Sequence, residues 1–120
     1  ALAAQWHALG CQRVALTFGA TGAALHIGSL PMATRDEAQS SGSVQAKAAA
    51  PIVNVVDTVG AGDTFWGSCL ADWVLHDTVG NDALAAARTE QTLQRALKAA
   101  AINCERVGCQ PPSLQEILNP

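Results

Sequence analysis

Charge is scarce in this 120-residue chain, and it is not concentrated anywhere. Only 14% of the residues are charged, with seven basic and ten acidic side chains and a formal net charge of −3. The chain lacks a cluster of lysine and arginine that could hold a phosphate backbone or an anionic membrane surface. The sequence therefore predicts no nucleic-acid partner and no membrane partner.

Long hydrophobic runs and a secretory signal are also missing. No apolar run approaches the ~20 residues that cross a bilayer, and the opening residues lack the charged and apolar parts of a signal peptide. We therefore expect a cytoplasmic protein. Hydrophobic residues nevertheless make up 49% of the chain, which is more than a disordered chain contains, so the sequence should fold as one compact unit.

Patterns typical of metal sites and disulfide frameworks are absent. The three histidines show neither HxxxH nor HExxH spacing, and no pair of cysteines has the CxxC spacing. The four cysteines are Cys11, Cys69, Cys104 and Cys109. Since they are widely and irregularly spaced, the sequence predicts reduced thiols and no zinc site.

Hydrophobic periodicity predicts strands in the first half and helices in the second. The first half is predicted to hold a helix over 1–9, strands over 14–18 and 23–27 joined by a Gly-Ala-Thr-Gly turn, and a strand over 52–56. The second half is predicted to hold a helix over 61–76 and one long or two short helices over 83–104. A short helix through Leu118 follows the capping box of Ser113 and Glu116. Turn formers predict an exposed excursion over 29–43 and a turn over 78–82. This order indicates an α/β or α+β layered fold rather than a helical bundle.

The helix predicted over 61–76 has a broad apolar face. Its apolar residues follow two adjacent edges, Phe65, Cys69 and Trp73 on one and Trp66, Leu70 and Val74 on the other. Because both edges are apolar, we expect this helix to be largely buried. The aromatic residues are then expected to be core residues rather than a platform for a sugar or a base.

The most informative segment is VVDTVGAGDTFW, residues 55–66, which joins the predicted strand to the predicted apolar helix through a glycine-rich turn. Gly60 and Gly62 have no side chain that could block a close ligand. The first amides of a helix are unpaired, and they lie at the positive end of the helix dipole. The segment therefore predicts an anion site of the kind that suits phosphate.

Asp63 lies in the first turn of this predicted helix, where the helix dipole stabilises a carboxylate. A carboxylate beside a phosphate site can take a proton from an attacking hydroxyl. The alternative is that the glycines only form a tight turn and that Asp63 only favours the helix N-terminus.

Two other nucleotide motifs fit the segment poorly. In the dinucleotide fingerprint GxGxxG, Phe65 occupies the place of the third glycine, and the acidic residue expected ~20 positions later would fall near Asp82, in a polar turn. A Walker A loop is also absent, because no glycine cluster leads into Gly-Lys-Ser/Thr. A dinucleotide-binding module remains a third alternative.

The segment Asp57-Thr-Val-Gly-Ala-Gly-Asp63, followed by Thr-Phe, resembles the C-terminal signature of the ribokinase-like carbohydrate kinases of the phosphofructokinase B type. Residues 16–22, LTFGATG, are similar to the Thr-x-Gly-x-x-Gly nucleotide segment of that family. Residues 99–108, AAAINCERVG, with the proline pair that follows, resemble the end of bacterial fructokinase-like members. The three matches occur in the family's order and span nearly the whole chain.

This resemblance implies ATP-dependent phosphorylation of a sugar hydroxyl, with magnesium bound through the nucleotide. Asp63 would be the general base. The amides of Gly60, Ala61 and Gly62 would form the anion hole for the transferred phosphoryl group.

The resemblance also implies roles for residues outside the catalytic turn. Thr17, Gly19 and Gly22 would contact ATP, and Asp57 would help to build the site for a monovalent cation, K⁺, found in many members. Each has an alternative, since Thr17 could be an ordinary strand residue, the two glycines could serve only the hairpin, and Asp57 could be a turn or cap residue.

Some positions depart from the family pattern. Gly67, Ser68 and Cys69 stand where a small-small-aliphatic sequence is usual, and Leu97 stands where many members have an Asn or His that faces the nucleotide. Asn103, Cys104 and Arg106 are expected to finish a helix rather than to touch a ligand.

Family members are also much longer than this chain. We therefore expect residues 1–120 to be the C-terminal portion of a sugar kinase domain, with an α/β fold that is part of a ribokinase-like three-layer α/β/α sandwich and without the N-terminal sugar-binding and lid part. The alternative is a non-catalytic nucleotide- or phosphate-binding fragment.

The expected partners are a small-molecule sugar and either a second copy of the chain or the N-terminal portion. The activity of the chain alone stays open, because catalysis needs both reactants held in line.

Overall fold

The structure is a computed structural model, and it describes residues 2–28, 44–76 and 83–119. Its elements are α1 (Leu2–Ala8), β1 (Arg13–Thr17), β2 (Ala23–Ile27), β3 (Val44–Ala48), α2 (Ala61–His76), α3 (Ala83–Cys104) and α4 (Leu114–Leu118). A short 3₁₀ turn, Gly19–Thr21, lies between β1 and β2. The excursion predicted over 29–43 and the turn predicted over 78–82 lie outside the described residues.

The three strands form one antiparallel sheet in the order β1-β2-β3. Thr17 of β1 lies opposite Ala23 of β2, and Ile27 of β2 lies opposite Val44 of β3. The predicted Gly-Ala-Thr-Gly hairpin is confirmed, since the amide of Phe18 donates to the carbonyl of Gly22 at 2.8 Å. Central strand β2 is the most buried of the three, as expected of a strand with two neighbours.

The core lies between the sheet and the two long helices. Its buried members are Ala23 and Leu25 of the sheet, Phe65 and Cys69 of α2, and Leu93, Ala96 and Leu97 of α3. Helix α3 contacts β2, β3 and α2. The prediction of an α/β fold is therefore confirmed, and residues 83–104 form one helix rather than two.

The strand predicted over 52–56 is wrong. Within the described residues, the third strand lies earlier, at Val44–Ala48, and residues 52–56 have no regular structure. Pro51 has no amide to donate to a sheet. The amides of Val56 and Asp57 donate to the carbonyl of Cys104, at 2.8 and 3.1 Å. The β-branched residues therefore run along the end of α3 instead of joining the sheet.

The prediction that α2 is largely buried is also wrong. The edge with Phe65 and Cys69 is buried against α3, but on the adjacent edge Trp66 is 42% exposed, Leu70 44% and Val74 82%. The reason is that α2 packs against α3 along a single edge. Trp66 lies edge-on against Trp73, with ring centroids 5.6 Å apart.

The last helix confirms its capping box. Ser113 Oγ accepts the amide of Glu116 at 3.3 Å, and the Glu116 carboxylate accepts the amide of Ser113 at 2.7 Å. Arg106 bonds to the same carboxylate, which fixes α4 to the chain after α3. None of the helices in the described ranges is long and apolar enough to span a membrane.

Candidate functional site

The glycine-rich turn leads directly into α2, which begins at Ala61. Gly60 has a φ of +81°, a backbone conformation that favours glycine. Its carbonyl accepts the amide of Thr64 at 2.9 Å, which is the first helical hydrogen bond. The amides before Thr64 therefore have no partner within α2.

The amides of this turn divide into two groups. The amide of Val59 donates to Asp57 Oδ1 at 3.0 Å, and that of Ala61 donates to the carbonyl of Thr58 at 3.2 Å. The amides of Gly60 and Gly62 have no acceptor among the hydrogen bonds of the described residues. Of the three amides predicted for the anion hole, two are thus available to an external anion and one has an internal partner.

Asp63 is exposed in the first turn of α2 and forms no ion pair with any described residue. A carboxylate engaged in a salt bridge would have been a poor candidate for proton transfer. The structure therefore leaves the predicted base accessible to a substrate.

A cavity of about 430 Å³ brings together two segments that lie far apart in sequence. Thr17, Gly19 and Gly22 line it from the β1–β2 turn, and Ala61 and Gly62 line it from the start of α2. All three residues predicted to contact the nucleotide thus face the same space as the start of α2. Gly60 and Asp63 are adjacent in sequence to this lining but are not part of it.

Further walls come from α3 and from the irregular segment before the glycine-rich turn. Leu97, Ala100 and Cys104 contribute one face of α3, and the irregular segment 50–55 contributes the other side. The resemblance had marked Leu97 as a nucleotide-facing position, and Leu97 does line the cavity. The other wall residues could not be predicted from the sequence, because alanines on a helix and β-branched residues after a proline are common in positions that bind no ligand.

The carboxylate of Asp57 is held by backbone amides. Oδ1 accepts the amide of Val59, and Oδ2 accepts the amide of Gly108 at 2.9 Å. These two bonds lower the pKa of Asp57 below its usual value. Asp57 therefore ties the turn before α2 to the chain after α3. Among the described residues, no group of three or more His, Cys, Asp or Glu could hold a metal ion.

For Asn103, the sequence predicted only that it finishes a helix, and the structure adds a second contact. Its backbone carbonyl does finish α3, by accepting the amide of Arg106 at 3.1 Å. Its side chain, however, is fully buried and bonds to the carbonyl of Val59 at 2.8 Å. No sequence pattern points to this contact, because the two residues lie 44 positions apart.

A strand hairpin, a glycine turn that leads into a helix and an open cavity between them are features of an α/β protein, and the start of such a helix suits an anion. Residues 1–116 match the family described as pfkB family carbohydrate kinase, so the chain belongs to the pfkB family of carbohydrate kinases. No curated protein is significantly similar to this chain.

A solved structure with a similar fold is that of an E. coli protein assigned as a ribokinase II, in its apo form. The sequence identity is 27% and the TM-score is 0.66. The similarity covers 96% of this chain but only 30% of the E. coli chain. The fold of this chain is therefore a fragment of a ribokinase-like fold. The chain corresponds to less than a third of the length of the E. coli protein.

Proposed function

We propose that this chain is the C-terminal portion of an ATP-dependent sugar kinase of the fructokinase-like type. The observation that carries the proposal is the shared cavity, in which the β1–β2 turn and the start of α2 face each other. Gly19 on one side and Gly62 on the other have nothing within 4 Å of the position of a Cβ, which leaves room for phosphates. The N-terminal end of α2 attracts their negative charge. The resemblance of residues 99–108 to bacterial fructokinases supports the subtype.

In this proposal, Asp63 takes the proton of the sugar hydroxyl as the hydroxyl oxygen attacks the γ-phosphorus of ATP. The bond between that phosphorus and the β-γ bridging oxygen breaks, and ADP leaves with the electron pair. The amides of Gly60 and Gly62 donate to the phosphoryl oxygens, where charge accumulates in the transition state. The Ala61 amide would join them only by giving up its bond to Thr58.

The proposed nucleotide contacts are Thr17, Gly19 and Gly22. They suit the triphosphate because two of the three are glycines and because Thr17 contributes a hydroxyl. Magnesium would enter with the nucleotide and neutralise part of its charge. For Asp57 we propose a supporting place in a potassium site, since each of its oxygens accepts one amide and keeps a second lone pair for a cation.

The sugar side of the site would come from another part of the kinase. This chain spans 30% of the length of its structural neighbour, and we propose that an N-terminal portion supplies the sugar-binding residues and the lid. The second candidate is a fragment that binds nucleotide or phosphate without catalysis. The exposure of Asp63 to solvent is compatible with both.

Calorimetry of this chain with MgATP and with inorganic phosphate, and a coupled assay for ADP release by a complete kinase that contains this chain, with a panel of sugars, test the proposal. MgATP binding with sugar-dependent ADP release supports the kinase, and binding without ADP release supports the second candidate. Binding of neither MgATP nor phosphate by the chain would overturn both.

The role of Asp63 as the base is tested by Asp63→Asn in a complete kinase that contains this chain and catalyses the reaction. We expect kcat to fall by about 10²–10⁴ while ATP affinity stays the same, because a positioned base contributes about that much. Asp72→Asn is the matched control, since Asp72 lies on the same helix but is paired with Arg95 at 3.5 Å. If Asp63→Asn kept kcat within about tenfold of the parent, Asp63 would not be the base.

A further inference from the structure

Asn103 lies in the last turn of α3 with no exposed surface. A buried amide side chain costs free energy unless its donor and acceptor both find partners. An apolar residue could fill this buried position without that cost. The hydrogen bonds of the Asn103 side chain therefore indicate why an amide is present here.

Both ends of the Asn103 amide are used. Nδ2 donates to the carbonyl of Val59 at 2.8 Å, and Oδ1 accepts the backbone amide of Gln110 at 2.9 Å. Only this orientation of the side-chain amide satisfies both partners, since the first offers an acceptor and the second a donor. Asn103 thus connects α3 to the catalytic turn and to the chain after the helix.

The bond to Val59 also fixes the direction of the next amide. The Val59 carbonyl and the Gly60 N–H belong to the same peptide group, which is planar and trans. In a trans peptide these two groups point in opposite directions. Because Asn103 holds the carbonyl toward α3, the Gly60 N–H points away from α3, and it has no acceptor among the described hydrogen bonds.

We propose that Asn103 is a positioning residue that presets the Gly60 amide for the phosphoryl group. This inference rests on the proposed function, which places Gly60 in the anion hole. The glycine needs such an anchor because its φ of +81° is only one of several conformations open to it. An amide that already points in the required direction does not have to reorient when negative charge develops on the phosphoryl oxygens.

Asn103→Asp is the most informative variant. At neutral pH the carboxylate can still accept the Gln110 amide but has no proton to donate to the Val59 carbonyl. We expect ATP affinity to fall by about tenfold, the typical effect of losing a charge-directed donor, and adenosine affinity to stay within about twofold. Adenosine is the control ligand because it has no phosphate that could accept a hydrogen bond from the Gly60 amide.

Acidic pH provides a rescue that a merely structural role does not predict. Burial raises the pKa of a carboxyl group, and the carboxyl group introduced by Asn103→Asp can again donate to Val59 once it is protonated. The ratio of ATP to adenosine affinity, taken relative to wild type at each pH, should therefore recover at about pH 5. Asn103→Ala has no such proton and should not recover at any pH.

Thr89→Val is the matched stability control. Thr89 is a buried polar residue of the same helix, and its hydroxyl donates to the carbonyl of Ala85 at 2.8 Å, far from the turn. We expect it to lower stability without changing the affinity ratio. An affinity ratio for Asn103→Asp that matches wild type, or that fails to recover in acid, would overturn the inference.

Nuclear magnetic resonance of the ligand-free chain separates this inference from the proposed function. If the wild-type chain binds no ATP, the proposed function fails. Positioning is still decided by hydrogen exchange and the chemical shift of the Gly60 amide, which should change in Asn103→Asp and return toward wild type in acid. An unchanged Gly60 amide would refute the positioning role whatever the outcome for ATP.

Discussion

The two glycine turns that meet at the cavity are held in different ways. Gly22 closes the β1–β2 turn with a φ of +126°, and a Cβ there would lie 2.0 Å from the backbone carbonyl oxygen of Ala48. Gly60 lies in the glycine-rich turn before α2 with a φ of +81°, and a Cβ there would lie 2.3 Å from the Sγ of Cys109. Gly22 is thus confined by backbone, whereas Gly60 is confined most closely by the Sγ of a side chain that can rotate.

The largest expected effect is that of Gly22→Ala. The added methyl overlaps the carbonyl of a paired strand, and alanine is strained at this φ, so we expect the free energy of unfolding to fall by about 3–4 kcal/mol. Urea unfolding measures it. Gly19→Ala is the control, since Gly19 has a φ of +60° but open space around it, and it should cost about 1 kcal/mol. Equal losses at the two positions would contradict the backbone contact.

Gly60→Ala should cost less, about 2 kcal/mol, because the Cys109 side chain can shift. Adding Cys109→Gly removes the Sγ and Cβ that the new methyl would meet. In a double-mutant cycle we therefore expect a favourable coupling of about 1 kcal/mol. Purely additive effects would show that the cost at Gly60 comes from its backbone conformation alone, and the proposed contrast with Gly22 would disappear.

The glycine-rich turn before α2 also has a pH-dependent anchor in Asp57. The amides of Val59 and Gly108 lower the folded-state pKa of this group below 3.8, so its contribution to stability is fully present above 3.8. That contribution is lost as the pH falls through the lower, folded-state value, because the unfolded chain then binds the proton more tightly.

Asp57→Asn should therefore be less stable than wild type at neutral pH, and the difference should shrink in acid. Urea unfolding across this range gives the measurement. Glu116, whose pKa is also lowered, is present in both proteins and cancels in the difference. A stability difference that does not depend on pH would show that the Asp57 charge has no part in anchoring the turn.

The sequence predicted features that depend on neighbours along the chain and missed those that depend on distant partners. The start of α2 at Ala61 and the Ser113 capping box follow from local patterns, and the structure confirms both. Residues 52–56 have the composition of a strand, yet the partner that they meet is the end of α3. Trp66 has the spacing of a core residue, but periodicity does not say whether another element covers it.

The candidate site divides in the same way. The glycine turn and the hairpin segment could be found because backbone conformation restricts which residues fit them. Asn103 could not, because its function depends on a carbonyl 44 residues away. The apolar wall formed by Leu97 and Ala100 is likewise visible only after α3 has packed beside the cavity.

The smallest expected effect on stability is at Gly62, and it has the opposite sign. Gly62 lies in the first turn of α2, has no positive φ and has no atom within 4 Å of the position of a Cβ. Alanine favours a helix over glycine, so Gly62→Ala should stabilise the fold by about 0.5–1 kcal/mol. The open space is where a phosphate would approach in the proposed site, so the same methyl should lower ATP affinity by about tenfold or more.

Gly67→Ala separates these two effects of Gly62→Ala. Gly67 belongs to the same helix and also has nothing within 4 Å of a Cβ, but it does not line the cavity. It should give a similar gain in stability and leave ATP binding unchanged, as measured by calorimetry. If both variants gained stability and kept full ATP affinity, the free space over Gly62 would not be the place of the phosphate. The open position at Gly62, in contrast to the confined position at Gly22, would then have no part in ligand binding.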